Sequence, residues 1–127
     1  MDSNAFFAPL EYKIDIFVEL EKSLNRNYEP ILLSPVKHEL ETLAQKDSPK
    51  TRKNATFALS LAEKCTFVEV PQKHKEQTDD AIIRIAKQWN APVFTNDKEL
   101  RQKLRDISMP VIYVRAKSRL EIDGLIT

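Results

Sequence analysis

Acidic residues able to bind a cation occur at several separate places in this chain. Asp97 follows the apolar segment "VFT", whose Thr95 comes just before it, and Asp2 and Asn4 stand in a similar "MDSN" context. In sheets of parallel strands, ligands bind beyond the carboxyl ends of the strands. We therefore expect Asp2 and Asp97 to lie at one edge of a sheet, where acids from neighbouring helices can join them.

Helical periodicity selects the first of these helix acids. In "PVKHELETL" the residues Val36, Leu40 and Leu43 form an apolar stripe. Glu39 lies at the edge of this stripe, about 60° away, whereas Glu41 lies on the opposite side. Glu39 is therefore expected to point along the buried face toward the sheet.

The segment "TDDAIIRIAKQW" offers two adjacent acids, Asp79 and Asp80. The inner face of this helix is marked by Ile82, Ile85, Ala86 and Trp89. Asp79 lies roughly 90° from that face and Asp80 nearly opposite it. Asp79 is the better candidate, and Asp80 stays open as its alternative.

Each acid has an ordinary structural role when it is considered alone. Asp79 would favour a helix N-terminus, Asp97 would cap a helix, Glu39 would be solvated and Asp2 would be a loose terminal residue. These separate roles become less plausible if the four acids lie together at one end of the sheet. Two like unit charges ~4 Å apart repel each other by on the order of 4 kcal/mol at an effective dielectric near 20. A cluster of this kind needs protons or cations, and a set of oxygen ligands favours Mg²⁺ or Mn²⁺.

Composition excludes several other kinds of site. The 127 residues carry a net charge of +1, with 42% apolar and 31% charged residues, one Gly, one Cys and two His. A single glycine excludes Gly-rich phosphate loops, and so few Cys and His residues exclude a typical structural zinc site. The lone cysteine and the absence of a long apolar run predict a cytoplasmic protein without a membrane span.

The order of predicted elements indicates the fold class. Short apolar strands alternate with helices, which favours a single domain over 1–127 with three α/β/α layers and a central parallel sheet. Ser34, Ser48 and Thr78 are expected to cap helices. The predicted helices span 10–26, Ser34 to about Gln45, Ser48 to about Lys64, 79–90 and 97–107. The predicted strands are Ile31 to Leu33, "TFVEV", "PVFT" and, as the last strand, "PVIYV", with "PQKHKEQ" as a polar loop and 115–127 unassigned.

With these elements in place, the sequence resembles the PIN domain, a Mg²⁺/Mn²⁺-dependent ribonuclease fold. The resemblance covers nearly the whole chain and is strongest to the archaeal branch related to ribosomal-RNA-processing PIN proteins. The matching segments, in this order, are "MDSNAFF", "ILLSPVKHELETL", "TDDAIIRIAKQW", "VFTNDKELRQKL" and "MPVIYV".

The resemblance implies a metal-assisted hydrolysis of RNA phosphodiesters. It places the family's acids on Asp2, Glu39, Asp79 and Asp97, with Asp80 as the alternative to Asp79. Asp2, Asp79 and Asp97 would bind one or two cations, and Glu39 would be a further or water-mediated ligand. Polar residues that orient the carboxylates would be Ser3, Asn4 and Thr95.

RNA is expected to reach the site through basic residues that flank the acidic segments. These are Lys37, Lys50, Arg52, Lys53, Lys98 and Arg101. The activity would serve RNA processing, with a ribosome-assembly partner, or act as a toxin held by an antitoxin. The resemblance also favours a homodimer. The competing hypotheses are a non-catalytic RNA- or protein-binding module in ribosome assembly and, less favoured, a receiver-type or phosphohydrolase domain.

The start of the chain departs from the family pattern. In the family a central strand precedes the D-[ST]-N segment, whereas only Met1 precedes Asp2 here. A gap there would leave buried backbone groups unpaired, which is costly. We expect the natural start to lie upstream. Alternatively, the tail 115–127 or a partner chain fills the slot, or the neighbouring strands close up and distort the site.

Overall fold

The computed structural model describes residues 1–24, 28–71, 75–115 and 119–124, and it shows helices alternating with short strands. The helices are α1 Ser3–Tyr12, α2 Ile16–Leu24, α3 Ser34–Leu43, α4 Pro49–Ala62, α5 Thr78–Trp89 and α6 Lys98–Asp106. The strands are β1 Ile31–Leu33, β2 Thr66–Val68, β3 Val93–Phe94, β4 Val111–Arg115 and β5 Arg119–Asp123. The α/β architecture with parallel strands is the fold class that the sequence predicts.

The parallel strands form two sections that the first two residues join. β1 pairs in parallel with β2, and β3 pairs in parallel with β4. Between the sections, the Met1 ammonium donates to the Ile31 carbonyl at 2.9 Å, and the Asp2 N–H donates to the Phe94 carbonyl at 3.0 Å. Met1 and Asp2 therefore lie where a central strand would lie and make one strand-like bond to each side.

The tail supplies an additional strand at the outer edge of the sheet. β5 pairs antiparallel with β4, and Arg115 contacts both carboxylate oxygens of Glu121 at 2.7 Å. "PVIYV" is therefore not the last strand, as the sequence had predicted. The described part of the tail does not fill the central slot either, because β5 lies on the far side of β4; residues 125–127 lie outside the described ranges.

The helix predicted over 10–26 is wrong, because two helices occupy this part of the chain. Lys13 adopts a left-handed conformation with φ 55°, and its N–H donates to the Pro9 carbonyl, which ends α1. The Asp15 carboxylate then accepts from the N–H groups of Phe17 and Val18 and so starts α2. Residues 25 and 26 of the predicted helix lie outside the described ranges, as does part of the predicted loop, 72–74.

The predicted helix caps were right in one case and wrong in two. Ser48 caps α4 as expected, by accepting from the Thr51 N–H. Ser34 and Thr78 are instead the first residues of their helices, whose N-cap residues, Leu33 and Gln77, make no side-chain cap bond. The Ser34 hydroxyl has another use: it accepts from the Val70 N–H at 3.0 Å and donates to the Val70 carbonyl at 3.2 Å. It thereby ties the end of β1 to the segment that follows β2.

The core lies between the sheet and the helices that cover it. Its largest fully buried apolar side chains come from helices α1, α2, α3 and α6 and from strand β4; they are Phe6, Ile16, Val36, Leu40, Leu100, Leu104 and Val111. Burial of this apolar surface holds the helix N-termini at the carboxyl edge of the sheet. Within the described ranges, no helix combines the length and the apolar character needed to cross a bilayer.

The Ser34 bridge generates a stability prediction. Ser34→Ala removes both bonds to Val70 and should lower stability by about 1–2 kcal/mol, which corresponds to a decrease of roughly 5 °C in Tm. Ser60→Ala is a matched control, because the exposed Ser60 hydroxyl donates to the Phe57 carbonyl of its own helix and, among the described residues, bridges no other element. Thermal unfolding followed by circular dichroism measures both variants, and equal Tm values would contradict a role for the bridge.

Candidate metal centre

Three carboxylates from distant parts of the sequence converge at the carboxyl edge of the strands. Asp2 precedes α1, Asp79 lies in the first turn of α5 and Asp97 precedes α6. One oxygen from each of the three lies within 4.8 Å of the other two. Because each side chain sits at a helix start, the partial positive charges of three helix N-termini face the cluster and reduce its repulsion.

Thr95 connects two of these acids through its buried hydroxyl. Thr95 Oγ1 lies 2.8 Å from Asp2 Oδ2, to which it donates, and accepts from the Asp97 N–H at 3.1 Å. Asn4 Oδ1 accepts from the Asn96 N–H at 3.0 Å and lies 3.2 Å from the same hydroxyl. Thr95 therefore bonds directly to Asp2 and to the Asp97 backbone, and Asn4 contacts Thr95; that Asn4 and Thr95 orient the carboxylates for a function stays a prediction.

Asp97 performs its ordinary capping role and belongs to the cluster at the same time. Its Oδ1 atom accepts from the N–H groups of Glu99 and Leu100 at the start of α6. These bonds fix the carboxylate by one oxygen. The two interpretations that the sequence left open for this residue are therefore compatible.

Glu39 lies beside the three acids and is held by Ser3. The Ser3 hydroxyl donates to Glu39 Oε1 at 2.5 Å, and Ser3 also donates its N–H to Asp2 Oδ1 at 2.8 Å. The Glu39 carboxylate is close enough to raise the pKa values of Asp2 and Asp79 through its charge. It is thus a fourth acid at the rim of the cluster, on the face of α3 that helical periodicity selected.

Burial, together with neighbouring negative charges, raises the pKa values of two carboxyl groups of the cluster, Asp2 and Asp79. Burial, followed by the charges of Asp2 and Asp97, raises the pKa of Asp79 to about 6, while Lys103 opposes this shift. Burial also raises the pKa of Asp2, against the hydrogen bonds from Thr95 and Ser3. A proton therefore competes with a cation for this cluster near pH 6.

The donor set fits a hard divalent cation. All of the converging ligand atoms are carboxylate oxygens, and their separation allows a single ion to contact several of them. Oxygen-only ligation suits Mg²⁺ and Mn²⁺ better than it suits the softer zinc or copper ions.

The remaining predicted site residues are distributed as follows. Asp80 is exposed and lies outside the cluster, so the geometry favours Asp79. Lys37 on α3 lies over the Phe67 ring at 4.8 Å, and Arg101 on α6 lies over the Tyr113 ring at 4.1 Å. The other four predicted RNA-binding side chains are exposed; they are Lys98 on α6 and Lys50, Arg52 and Lys53 on α4. Contact of these six residues with RNA stays a prediction.

Two residues near the site were missed by the sequence analysis. Asn96 Oδ1 accepts from the Val114 N–H at 2.8 Å and so extends the junction of β3 with β4. Lys103 contributes the positive charge that lowers the pKa of Asp79. The stripe-edge argument used for Glu39 would have found Lys103, because it lies about 60° from Leu100 on the helix that Asp97 caps.

Known proteins with similar sequences are ribonucleases and an RNA-processing protein. The family described as "PIN like domain" matches residues 1–117. Ribonuclease VapC4 of Methanocaldococcus jannaschii is 36% identical over 126 residues, with 98% of this chain and 95% of that protein covered. Ribonuclease VapC9 of Archaeoglobus fulgidus is 31% identical over 125 residues, with 98% and 88% covered.

A more distant relative and a solved structure support the same grouping. The rRNA-processing protein fcf1 of Schizosaccharomyces pombe is 30% identical over 129 residues, with 99% of this chain but 62% of that protein covered. The solved structure of the PIN domain endonuclease Utp24 superimposes with a TM-score of 0.79 at 30% identity. It covers 98% of this chain and 90% of the Utp24 chain.

The raised pKa of Asp79 predicts a pH-dependent stability in metal-free buffer. Because the folded pKa of about 6 exceeds the ordinary value of 3.8, folded Asp79 binds more protons than unfolded Asp79 between these values. This contribution to stability is complete below about pH 4 and is lost as the pH rises through 6. Asp79→Asn should therefore gain Tm relative to the wild type as the pH rises from 4 to 7.5, in EDTA. Asp80→Asn should show no such trend; a Tm difference for Asp79→Asn that is constant over this range would contradict the shift.

Thr95 should be necessary for the geometry of the cluster. Thr95→Val keeps the shape but leaves the Asp97 N–H without its acceptor and removes a donor from Asp2. We expect a loss of about 2–4 kcal/mol in the free energy of unfolding. Thr95→Ser retains the hydroxyl and should recover most of this loss, as measured by urea unfolding. Thr95→Val with the stability of the wild type would contradict this role of the hydroxyl.

Proposed function

The chain belongs to the PIN-domain ribonuclease family, and we propose on that basis that it is an endoribonuclease that depends on Mg²⁺ or Mn²⁺. The single observation that carries the proposed metal dependence is the convergence of Asp2, Asp79 and Asp97 within 4.8 Å. Such an arrangement is electrostatically unfavourable without a counter-ion. The similarity to two ribonucleases and to an endonuclease supports the reaction class.

In this proposal the side chains of the cluster bind the cation, and their polar neighbours orient the carboxylates. Asp2, Asp79 and Asp97 hold the cation, and Glu39, fixed by Ser3, is a further or water-mediated ligand. Thr95 keeps Asp2 and Asp97 in register, and Asn4 in turn supports Thr95. When bound, a divalent cation supplies Lewis-acid activation of water and stabilises negative charge on the phosphate.

RNA would approach over the basic and aromatic side chains beside the cluster. Lys98 and Arg101 are on the helix that Asp97 caps, and Lys37 is on the same helix as Glu39. Each of the half-buried cations, Lys37 and Arg101, lies over an aromatic ring. Cationic side chains bind phosphates, and aromatic rings stack on bases, so this surface suits single-stranded RNA. Lys50, Arg52 and Lys53 would extend the contact along α4.

Two cellular roles are compatible with this activity. The fission-yeast relative is named as an rRNA-processing protein, which favours RNA processing with a ribosome-assembly partner. The alternative role is that of a toxin held by an antitoxin. A homodimer would fit either role.

Cation binding is the first test of the proposal. At a concentration of about 100 Kd, a cation that binds only the folded state adds about 2.7 kcal/mol of stability, so Mn²⁺ should raise the wild-type Tm by roughly 10 °C. Asp97→Asn should lose most of this gain, because the asparagine still caps α6 but removes the charge. Asp80→Asn, outside the cluster, should retain it. Equal Mn²⁺ gains in the wild type and Asp97→Asn would refute the metal site.

RNA cleavage separates the enzyme from a non-catalytic binding module. The wild type and Asp80→Asn should cleave a labelled single-stranded RNA with Mg²⁺ or Mn²⁺ and stop in EDTA. Asp97→Asn should bind the same RNA but cleave it at least 100-fold more slowly, which is on the order of 3 kcal/mol of lost transition-state stabilisation. RNA binding without cleavage by the wild type, despite a Mn²⁺ gain in Tm, would favour the binding module.

A further inference from the structure

Arg101 and Tyr113 form a stacked pair beside the acidic cluster. The central carbon of the Arg101 guanidinium lies 4.1 Å from the centre of the Tyr113 ring. This distance is well inside the roughly 6 Å within which a cation and an aromatic ring attract each other. A guanidinium stacked over a ring keeps its N–H donors free at its edges, where they can form the two parallel bonds that recognise a phosphate.

Arg101 is placed by the helix that begins at the cluster. Its N–H donates to the Asp97 carbonyl at 2.9 Å, so it stands one turn after the residue that caps α6. Residues four apart on a helix are neighbours, with about 5–6 Å between their Cβ atoms. The cation that opposes the raised pKa of Asp79 is Lys103. Arg101 therefore lies beside the cluster with its charge over the Tyr113 ring.

Tyr113 is placed by two hydrogen bonds between β4 and the segment that follows β3. The Ile112 carbonyl accepts from the Thr95 N–H at 2.9 Å, and the Val114 N–H donates to Asn96 Oδ1 at 2.8 Å. Tyr113 lies between these two bonds. The position of its ring is therefore fixed relative to Thr95 and hence relative to the cluster.

Strand β5 adds an ion pair beside the ring. Glu121 lies directly opposite Tyr113 in the antiparallel pair of β4 with β5, and residues paired in this way have Cβ atoms about 4.5–5.5 Å apart. Both carboxylate oxygens of Glu121 accept from Arg115 at 2.7 Å. The pKa of Arg115 is raised by Glu121 first and by Tyr113 in addition. The charges on both neighbours of the ring are thus satisfied by each other.

Arg101 has no such acidic partner. Within the described part of the chain, its guanidinium makes neither an ion pair nor a hydrogen bond, and the Tyr113 ring is its contact. Three other basic side chains of α6 and β4 are paired with acids; the pairs are Lys103 with Glu99, Arg105 with Asp123 and Arg115 with Glu121. A half-buried arginine with unused donors beside an acidic cluster can bind an anion that a cation brings to that cluster.

We propose that Arg101, positioned by Tyr113, binds the RNA phosphate group next to the one that the cation binds. The inference rests on the proposed nuclease function and assigns one substrate contact within it. One phosphate at the cation and the next at Arg101 fix the path of the strand across the cluster. Because the ring already restrains the guanidinium, less side-chain entropy is lost when the phosphate binds.

The salt dependence of RNA binding tests this contact. A labelled single-stranded RNA is titrated with the protein in EDTA at several salt concentrations. Arg101→Gln should weaken binding about tenfold and lower the slope of log affinity against log salt by about 0.7, the value for one phosphate contact with a single strand. Lys87→Gln removes an exposed cation from the last turn of α5 and should change neither quantity. An unchanged slope in Arg101→Gln, or the same change in both variants, would overturn the proposal.

Two substitutions of Tyr113 test whether this residue acts through Arg101. Tyr113→Phe keeps the ring and should retain most of the RNA affinity, whereas Tyr113→Leu should weaken binding roughly threefold or more. The losses of Arg101→Gln and Tyr113→Leu should not add in the double variant, because the ring and the guanidinium act as one unit. Additive losses would contradict the positioning role of Tyr113.

Cleavage kinetics distinguish the neighbouring phosphate from the reacting one. With Mn²⁺, Arg101→Gln should raise KM about tenfold while kcat stays within about twofold, because a contact beside the reacting phosphate is equally strong in the ground state and the transition state. A fall in kcat as large as the fall in kcat/KM would place Arg101 on the reacting phosphate and would contradict the proposal.

The gain in Tm with Mn²⁺ separates this inference from the proposed metal site. The gain should be the same in the wild type, Arg101→Gln and Tyr113→Leu, and a smaller gain in Arg101→Gln would show that the arginine supports the acids instead of the RNA. If the wild type binds and cleaves RNA and Arg101→Gln matches it, this inference fails alone. A wild type that neither binds nor cleaves RNA would overturn both the inference and the proposed function.

Discussion

The rest of the structure depends on the hydrogen bonds that fix Asp2 by its backbone and by its carboxylate. Its N–H pairs with the Phe94 carbonyl, and its buried carboxylate accepts from Thr95 and from the Ser3 N–H. Together with the bond from Met1 to β1, the backbone bond of Asp2 joins the two sections of the sheet. The bonds of the Asp2 carboxylate place it in the acidic cluster and start α1. Since one residue serves both purposes, the position of the cluster is set by how well the sheet is joined.

The cluster exists because the surrounding fold offsets its repulsion. Three helices begin at the acids, so their partial charges and N–H groups stabilise the carboxylates. The offset is incomplete: burial first, and the charges of neighbouring acids in addition, raise the pKa values of Asp2 and Asp79. What is left of the repulsion favours either a proton or a cation, and at neutral pH the proton is largely lost from a group whose pKa is about 6. A free energy that opposes the metal-free state is thereby available for cation binding.

Local rules predicted much of the site from the sequence. The position of Asp97 was predicted from the end of a strand. Helical periodicity favoured Asp79 over the exposed Asp80, and the edge of an apolar stripe indicated that Glu39 points toward the sheet. The positions of these acids could be predicted because a helix or strand fixes side-chain direction over a few residues; their function as a site stays a prediction.

The sequence did not predict features that depend on distant contacts or on unusual backbone. The break between α1 and α2 depends on a left-handed Lys13, a conformation that lysine does not signal. Ser34 bonds to Val70, 36 residues away. This distant partner cannot be seen in the local sequence, where Ser34 followed by a proline has the pattern of a helix cap. The bonds from Met1 and Asp2 to β1 and β3 join residues about 30 and 90 positions apart, and no local pattern encodes them.

The backbone bonds of Met1 and Asp2 also bear on the energetics of the acidic cluster. Among the described residues, Met1 makes one bond to the backbone of β1, and Asp2 makes one backbone bond to β3. These two bonds place the Asp2 carboxylate relative to Asp79 and Asp97. Ordering the backbone of a residue costs about 1–2 kcal/mol, which is comparable to the net contribution of one or two hydrogen bonds. In the proposed metal site, a cation that drew the three carboxylates together would stabilise the placement of Asp2, and firm placement of Asp2 by its backbone bond would lower the ordering cost of cation binding. Thermodynamic linkage makes these two effects equal, so the strength of the junction at Met1 and Asp2 would help to set the affinity of the proposed metal site for its cation.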